Sequence, residues 1–288
     1  MKGRTVGRTV GRARTVGRAR PAGQARRSGI RRRSAGLGPA RAGALLAMVA
    51  AVAVGWGLAT SSAFAIEGVE VSGAALSSDA QVRTAAGIGE GTNPFTLETG
   101  AIARRLEQLP TVASAAVSVD LLGGVTIRLT ERQPILAWAV GNRRLLVDQR
   151  GQAFADLEAE PADDAVRATL EALPAIEDER SSAAALAVGD VIDPVEFDVA
   201  RRLGSLRPAD VGSGASGLRV AVEDPEGFVV RPVPAGWTAV FGIYTPTLRP
   251  ASIVPGQVRL LAGLLAGRED QIGRVLLASE TDGTYEPR

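Results

Sequence analysis

The side chains able to move a proton or hold a metal near neutral pH are scarce in this 288-residue chain, which has 0 His, 0 Cys and a single Lys, Lys2. Imidazole is the usual general base at pH 7 and the commonest metal ligand, and thiolate is the most reactive side-chain nucleophile. Ser-His-Asp, Cys-His, His-metal and zinc–thiolate chemistry are therefore excluded. What remains is carboxylate and guanidinium chemistry, and the dense acids are Glu158-Ala159-Glu160, Asp163-Asp164 and Glu177-Asp178-Glu179. Acids can bind Ca²⁺ or Mg²⁺ when several oxygens converge, or serve as the acid and base of glycoside cleavage when two are fixed across a cleft. None of these runs has the ligand spacing of a calcium loop, and all read as solvated acidic surface. Gly212-Ser213-Gly214-Ala215-Ser216-Gly217 has the glycine density of a phosphate cradle, but no Lys-Ser or Lys-Thr follows it and no clear strand precedes it, so it reads as a flexible loop. No catalytic, cofactor-binding or metal-binding residue is assigned, and the chain reads as a non-enzyme.

The elements around these residues are divided by charge. Of 33 basic residues, 13 lie in residues 1–41, which hold no Asp or Glu; the rest of the chain carries 20 basic against 31 acidic residues. The basicity thus belongs to a tail, in which Thr5-Val6-Gly7-Arg8 recurs as Thr9-Val10-Gly11-Arg12 and Thr15-Val16-Gly17-Arg18. With no aromatic residue and few apolar ones, this tail cannot offset the entropy of ordering and is expected to be disordered; it reads first as an orientation signal on a solvated tail, with contact to anionic lipid or nucleic acid as the functional alternative. Aromatic residues do not interleave with basic ones, so no nucleic acid is expected. Trp138, Trp237, Phe241 and Tyr244 read first as core residues, with Trp138 or Tyr244 as an alternative partner surface.

Residues 42–66 contain no Asp, Glu, Lys or Arg. At about 1.5 Å per residue such a helix crosses a hydrocarbon layer of about 30 Å. Positive charge ahead of it predicts a cytoplasmic N-terminus and an exported remainder, giving a single-pass plasma-membrane protein. Ala63-Phe64-Ala65 offers a signal-peptidase site, but the long basic region and long apolar run favour an uncleaved anchor.

Beyond the anchor the pattern is α+β. Val69-Glu70-Val71-Ser72-Gly73 alternates as a strand; Ser77-Ser78-Asp79 caps a short helix bearing Val82, Ala85 and Ala86; and Ile102, Leu106 and Leu109 share a face of a second helix closed by Pro110. Two alternating runs, 112–119 and 125–131, then join around Gly123-Gly124 as a hairpin. In the last half, Glu196–Leu206 and the stripe Val258, Leu261, Leu264, Leu265 read as helices. Leu218–Val222, Phe228–Val230, Trp237–Phe241 and Arg274–Ser279 read as strands of an antiparallel sheet, followed by a polar tail.

The order β-α-α-β-β resembles a polypeptide-transport-associated (POTRA) domain of the FtsQ/DivIB type. The resemblance is carried by Val69-Glu70-Val71-Ser72-Gly73, Gly91-Thr92-Asn93-Pro94-Phe95-Thr96-Leu97, Leu109-Pro110-Thr111-Val112, Thr130-Glu131-Arg132-Gln133-Pro134 and Leu146–Phe154, placed behind a basic tail and one anchor. It departs from the family where the last hairpin turn, usually holding a Pro, reads Asp120-Leu121-Leu122-Gly123-Gly124. The organisation expected is a cytoplasmic tail (1–41), a transmembrane helix (42–66), a POTRA domain (67–133), an FtsQ-type β domain (134–279) and a polar C-terminal tail (280–288). The resemblance implies a non-catalytic cell-division scaffold at the septum, with partners of the FtsB/DivIC and FtsL type and, through them, the septal peptidoglycan synthases. It also implies partner binding at the end of the second domain, on Arg274, Val275, Leu276, Leu277, Ala278, Ser279 and Tyr285, by addition of a strand to an exposed edge. The alternative is a POTRA-bearing component of protein translocation or outer-membrane assembly, which would ordinarily need repeated POTRA units or a long barrel.

If Leu106 faces the first domain's core, Leu106→Ala should cost about 2–5 kcal/mol. An unchanged thermal midpoint would show the helix face to be misassigned.

Overall fold

The computed structural model describes residues 38–60, 66, 68–89, 91–93, 96–120, 124–159 and 164–288. The tail repeats, Ala63-Phe64-Ala65, Pro94-Phe95, Leu121-Leu122-Gly123 and the acids Glu160 and Asp163 lie outside the described residues. Helix α1, Pro39–Thr60, is long and apolar enough over residues 39–57 to cross a membrane. It begins ahead of the charge-free run, because Arg41 is a good helix former in its first turn.

The first folded unit after it is built from β1 (Gly68–Ser72), α2 (Asp79–Ala86), α3 (Thr99–Leu106), β2 (Val112–Val119) and β3 (Gly124–Glu131). Its sheet has the order β1-β3-β2, with β1 parallel to β3 and β2 antiparallel to it. Helix α2 starts in a reciprocal capping box between Ser78 and Gln81 and stops at Gly87, whose φ of 60° a residue with a Cβ would resist. Both helices bury one face on the sheet, where Val82, Ala86, Ile102 and Leu106 meet Val125, Ile127 and Leu129; Leu106 is fully buried, as its helix face requires.

The second part contains β4 (Pro134–Val140), β5 (Arg143–Asp148), β6 (Ala153–Asp156), α4 (Asp164–Glu171), β7 (Ala175–Asp178), α5 (Pro194–Gly204), β8 (Gly217–Glu223), β9 (Gly227–Val233), β10 (Thr238–Gly242), α6 (Val254–Leu265), β11 (Ile272–Leu277) and β12 (Gly283–Pro287). They form one nine-stranded sheet of order β12-β11-β10-β9-β8-β7-β4-β5-β6. The sheet is mixed, which corrects the wholly antiparallel reading: β4–β7, β7–β8 and β10–β11 are parallel. The cause is connectivity: α5 and α6 return the chain to the starting end of the sheet before β8 and β11, and β5, β6 and α4 do so between β4 and β7, as parallel neighbours require. Both helices cover one face, burying Phe197, Val199, Leu203, Leu261 and Leu265 against Trp138, Val220, Val230, Phe241 and Val275. A second correction concerns residues 280–288, read as a polar tail: Gly283–Pro287 pairs with β11 throughout its length. Thr284 and Tyr285 suit a strand, and the apolar alternation that would have marked them is missing because only one side of that strand is covered.

The two parts are clipped together where the first ends. The Glu131 carboxylate accepts the N–H groups of Ala75 (2.8 Å), Leu76 (2.8 Å) and Ser77 (2.8 Å). This fixes the loop after β1, so that Leu76 leaves the first domain and inserts among Leu146, Phe154, Leu157 and Leu170 of the second. Gly73 makes the turn possible, for at its φ of +83° a Cβ would lie 2.1 Å from the Leu129 carbonyl oxygen. The next residue, Arg132, donates to Asp148 Oδ2 at 2.8 Å and to the Pro110 carbonyl at 2.9 Å.

Leu76→Ala should therefore destabilise the folded part after α1 by about 2–5 kcal/mol and Glu131→Gln should weaken the same seam, each separating one thermal transition into two. Calorimetry of the detergent-solubilised full chain reads this directly, and a single unshifted transition in both variants would mean that the seam carries no coupling.

Candidate functional site

The sequence placed its candidate residues on an outermost strand; the structure assigns the outermost position to β12. Arg274, Val275, Leu276 and Leu277 lie in β11, held between β10 on one side and β12 on the other. Ala278 and Ser279 belong to the turn that follows, where Ser279 Oγ accepts the N–H groups of Thr281 (3.3 Å) and Asp282 (3.0 Å). Tyr285 alone among the candidates stands on the edge itself, about half exposed at 47%. The correction has a simple origin: the Ser279 turn reverses the chain and covers the strand that the sequence had left bare.

The alternation of backbone groups along β12 can be fixed from its two ends. The N–H of Ser279 donates to the Asp282 carbonyl, and the N–H of Arg288 donates to the Gln271 carbonyl. Residues 282 and 288 therefore face β11, and by the two-residue period Gly283, Tyr285 and Pro287 present their backbone groups outward. Gly283 and Tyr285 each offer a donor and an acceptor; Pro287 offers an acceptor only. At the sheet's other edge, β6 is covered by the loop after the short helix at Ser181–Ala185: Ala153 and Gly189 exchange bonds with Asp190 and Ala153, and Ile192 donates to Gly151. Among the described residues no strand or loop does the same for β12.

The edge is stiffly supported. Parallel strands β10 and β11 end side by side, and the carbonyls of Phe241 and Leu277 near those ends are both taken by Arg249 Nη2. Gln257, fully buried in α6, donates to Leu277 O at 3.0 Å and accepts the Tyr244 hydroxyl at 2.6 Å. Burial raises the Tyr244 phenol above its ordinary range, keeping the hydroxyl a donor, while the Arg249 guanidinium lies 5.4 Å from the ring centre. The hairpin turn rests on the start of α6: a Cβ on Gly256 would come 2.5 Å from Glu280, so no larger residue fits there. Arg268 stacks 5.4 Å over the Tyr285 ring. None of Arg249, Gln257, Arg268 or Gly283 was singled out by sequence reading; they are scattered in the chain, and only the parallel pairing brings them to one edge.

The other residues considered for chemistry are committed to structure. Asp178, nearly buried, accepts Trp138 Nε1 at 3.0 Å and both Arg180 Nε (2.9 Å) and Nη2 (2.8 Å), while Arg180 also grips Glu196 at 2.7 Å. Clefts of about 580 and 370 Å³ flank this cluster, yet its central acid is saturated by donors. Among the described residues no three acids come together as a metal site. Trp138 and Tyr244 are buried, which removes them as surface anchors. The glycine-rich loop is pinned rather than loose: Glu269 accepts Ser213 Oγ, the Gly214 N–H (2.9 Å) and Trp237 Nε1 (2.8 Å). Although burial opposes it, those three donors hold the Glu269 carboxyl below its usual value. On the face of the sheet away from α5 and α6, Arg219–Glu177 (3.3 Å), Arg231–Glu223 and Arg274–Glu226 (2.5 Å) form a row of ion pairs running toward the β12 edge.

Comparison with known proteins gives this architecture a context. Residues 64–132 match the family model described as "POTRA domain, FtsQ-type". The chain is 33% identical over 107 residues to the cell division protein FtsQ of Streptomyces venezuelae, covering 37% of this chain and 40% of that protein. It is 28% identical over 171 residues to FtsQ of Mycobacteroides abscessus, covering 59% of this chain and 53% of the relative. FtsQ of Mycolicibacterium smegmatis is 32% identical over 145 residues, 46% of this chain and 44% of the relative. The chain thus spans about two fifths to half of the curated relatives it matches.

The ion-pair row predicts an acid response. Hydrogen bonds from Arg231 outweigh burial and lower the Glu223 carboxyl below its ordinary 4.5. A carboxylate depressed on folding stabilises the fold above 4.5 and surrenders that stability as pH falls through its lowered value. Urea titrations should therefore show the wild type losing stability more steeply below 4.5 than Glu223→Gln, and parallel curves would contradict the assignment.

Proposed function

We propose that this FtsQ-like chain, with its FtsQ-type POTRA domain, is a non-catalytic cell-division scaffold anchored by one membrane helix, its tail cytoplasmic and its folded domains exported toward the septum. The tail and anchor engage the lipid bilayer, and the folded domains connect division proteins of the FtsB/DivIC and FtsL type, reaching the septal peptidoglycan synthases through them. The observation that carries this reading is the uncovered β12 edge, braced by Gln257 and Arg249 and offering the outward groups of Gly283 and Tyr285. A partner segment in extended form would add there as a tenth strand, with main-chain bonds giving attachment and Tyr285 with Arg268 giving side-chain contact. The candidate residues of β11 act beneath it: Arg274, Val275, Leu276 and Leu277 hold β12 in register, and Ala278 and Ser279 form the reversal that presents it.

Tyr285→Pro removes an outward donor without removing a bond to β11, whereas Thr284→Pro removes a donor facing β11 and should damage the hairpin itself. Tyr285→Pro is expected to retain the wild-type melting curve and lose co-purification of the small single-pass partners from solubilised membranes at least tenfold. Full co-purification by a folded Tyr285→Pro variant would move the interface to another surface.

A further inference from the structure

The POTRA-type sheet has an edge of its own that the β12 reading does not use. Strand β2 is outermost in the order β1-β3-β2, and its sequence, Val112-Ala113-Ser114-Ala115-Ala116-Val117-Ser118-Val119, contains no charge and no Pro. Exposed edges are ordinarily protected by Lys, Pro or short length; this one has none of these and runs for 8 residues. Its outward groups can be identified. The Asp120 N–H donates to the Gly124 carbonyl across the hairpin, so residues 120, 118 and 116 face β3 and residues 119, 117 and 115 face away. The Ala115 N–H confirms the phase, because it donates at 3.3 Å to a side chain, Glu107 Oε1. Glu107 thereby closes the edge at Ala115 and, among the described residues, leaves Val117 and Val119 as its open rungs.

We propose that β2 pairs antiparallel with β2 of a second copy of this chain, with Val117 opposite Val119 of the other copy and the twofold axis at Ser118. Three features favour a second copy over another protein. An uncharged strand can oppose itself without placing like charges face to face. This register uses only the open rungs and leaves Glu107 on Ala115. It also places Asp120 of each copy opposite the small Ala116 of the other, beyond which stands the exposed Arg128, paired with Ala116 in its own sheet. Asp120, whose Oδ1 accepts the Gly124 N–H at 2.8 Å, then stands on the same face as Arg128 of the other copy, and the symmetric contact closes on itself as a dimer rather than a fibre. Only four backbone bonds join the copies, so pairing depends on confinement of both chains to one membrane by α1, which raises their effective concentration.

The chain has 0 Cys, so a single introduced thiol reports one position. Directly opposed residues in a non-hydrogen-bonded antiparallel pair lie about 4.5 Å apart at Cα, within disulfide range. In native membranes expressing the full chain, Ser118→Cys should give a covalent homodimer on mild oxidation at least fivefold more efficiently than Ser114→Cys or Thr84→Cys. Adding Val117→Pro, which removes an outward donor and spares the β3 ladder, should abolish it. Arg128→Asp should reduce it, and Asp120→Arg combined with Arg128→Asp should restore it. Equal cross-linking at all three cysteine positions, insensitivity to Val117→Pro in a variant with wild-type melting, or attachment of Ser118→Cys to a different protein would each overturn the second-copy assignment.

Discussion

One carboxylate sets the geometry of the two folded domains that follow α1. Glu131 is the last residue of β3, and by accepting three successive backbone N–H groups from the loop after β1 it fixes where Leu76 points. That loop would otherwise hold unpaired donors beside an apolar side chain, an expensive combination away from water. With the donors satisfied, Leu76 is free to fill a pocket of the second domain, and Arg132 secures the same crossing through Asp148 and the Pro110 carbonyl. Two small hydrophobic cores thus share a seam. The sheet that displays β12 inherits its footing from that seam, through β4 and β5.

The first domain was almost fully legible in sequence because every one of its elements carries a local signal. Ser78 and Gln81 write a capping box, Ile102 and Leu106 mark a helix face, and the runs around Gly123-Gly124 alternate with period two. The second domain was legible only in part: α5, α6 and β8 to β11 show in the sequence as elements but not as topology, while α4, the central strand β7 and β12 carry no comparable signal. Nothing local in Trp237–Phe241 or Arg274–Leu277 says that these strands run parallel; α6 decides it by returning the chain to the starting end. Of the partner-binding candidates only Tyr285 lies on the sheet's open edge; the strand that covers β11 is polar, short and half solvated, so hydrophobic periodicity could not reveal it.

The lack of His and Cys also shapes the interior. Burying polar groups without imidazole or thiol leaves arginine, carboxylate, amide and indole to satisfy one another, and the second domain does this in three separate places, around Asp178, Gln257 and Glu269. Each ties a loop to the end of a strand. Of the acids that look dense in sequence, Asp178 receives Trp138 and Arg180 donors and Glu177 pairs with Arg219, which is why density of acids was a poor guide to chemistry.

Pro287 closes the β12 edge with an acceptor and no donor, which limits an added strand to two full rungs at Gly283 and Tyr285. Two full rungs and the lone Pro287 acceptor allow five backbone bonds, which at about 0.5–1.5 kcal/mol each fall short of, or only partly match, the roughly 4–15 kcal/mol lost in joining two free molecules. An incoming strand with nothing else to hold it would dissociate quickly, its dwell time set by exchange with water at those two rungs. Strand addition of useful lifetime at such an edge would require the added segment to bring apolar side chains or to be tethered in the same bilayer; backbone pairing alone would be rapidly reversible.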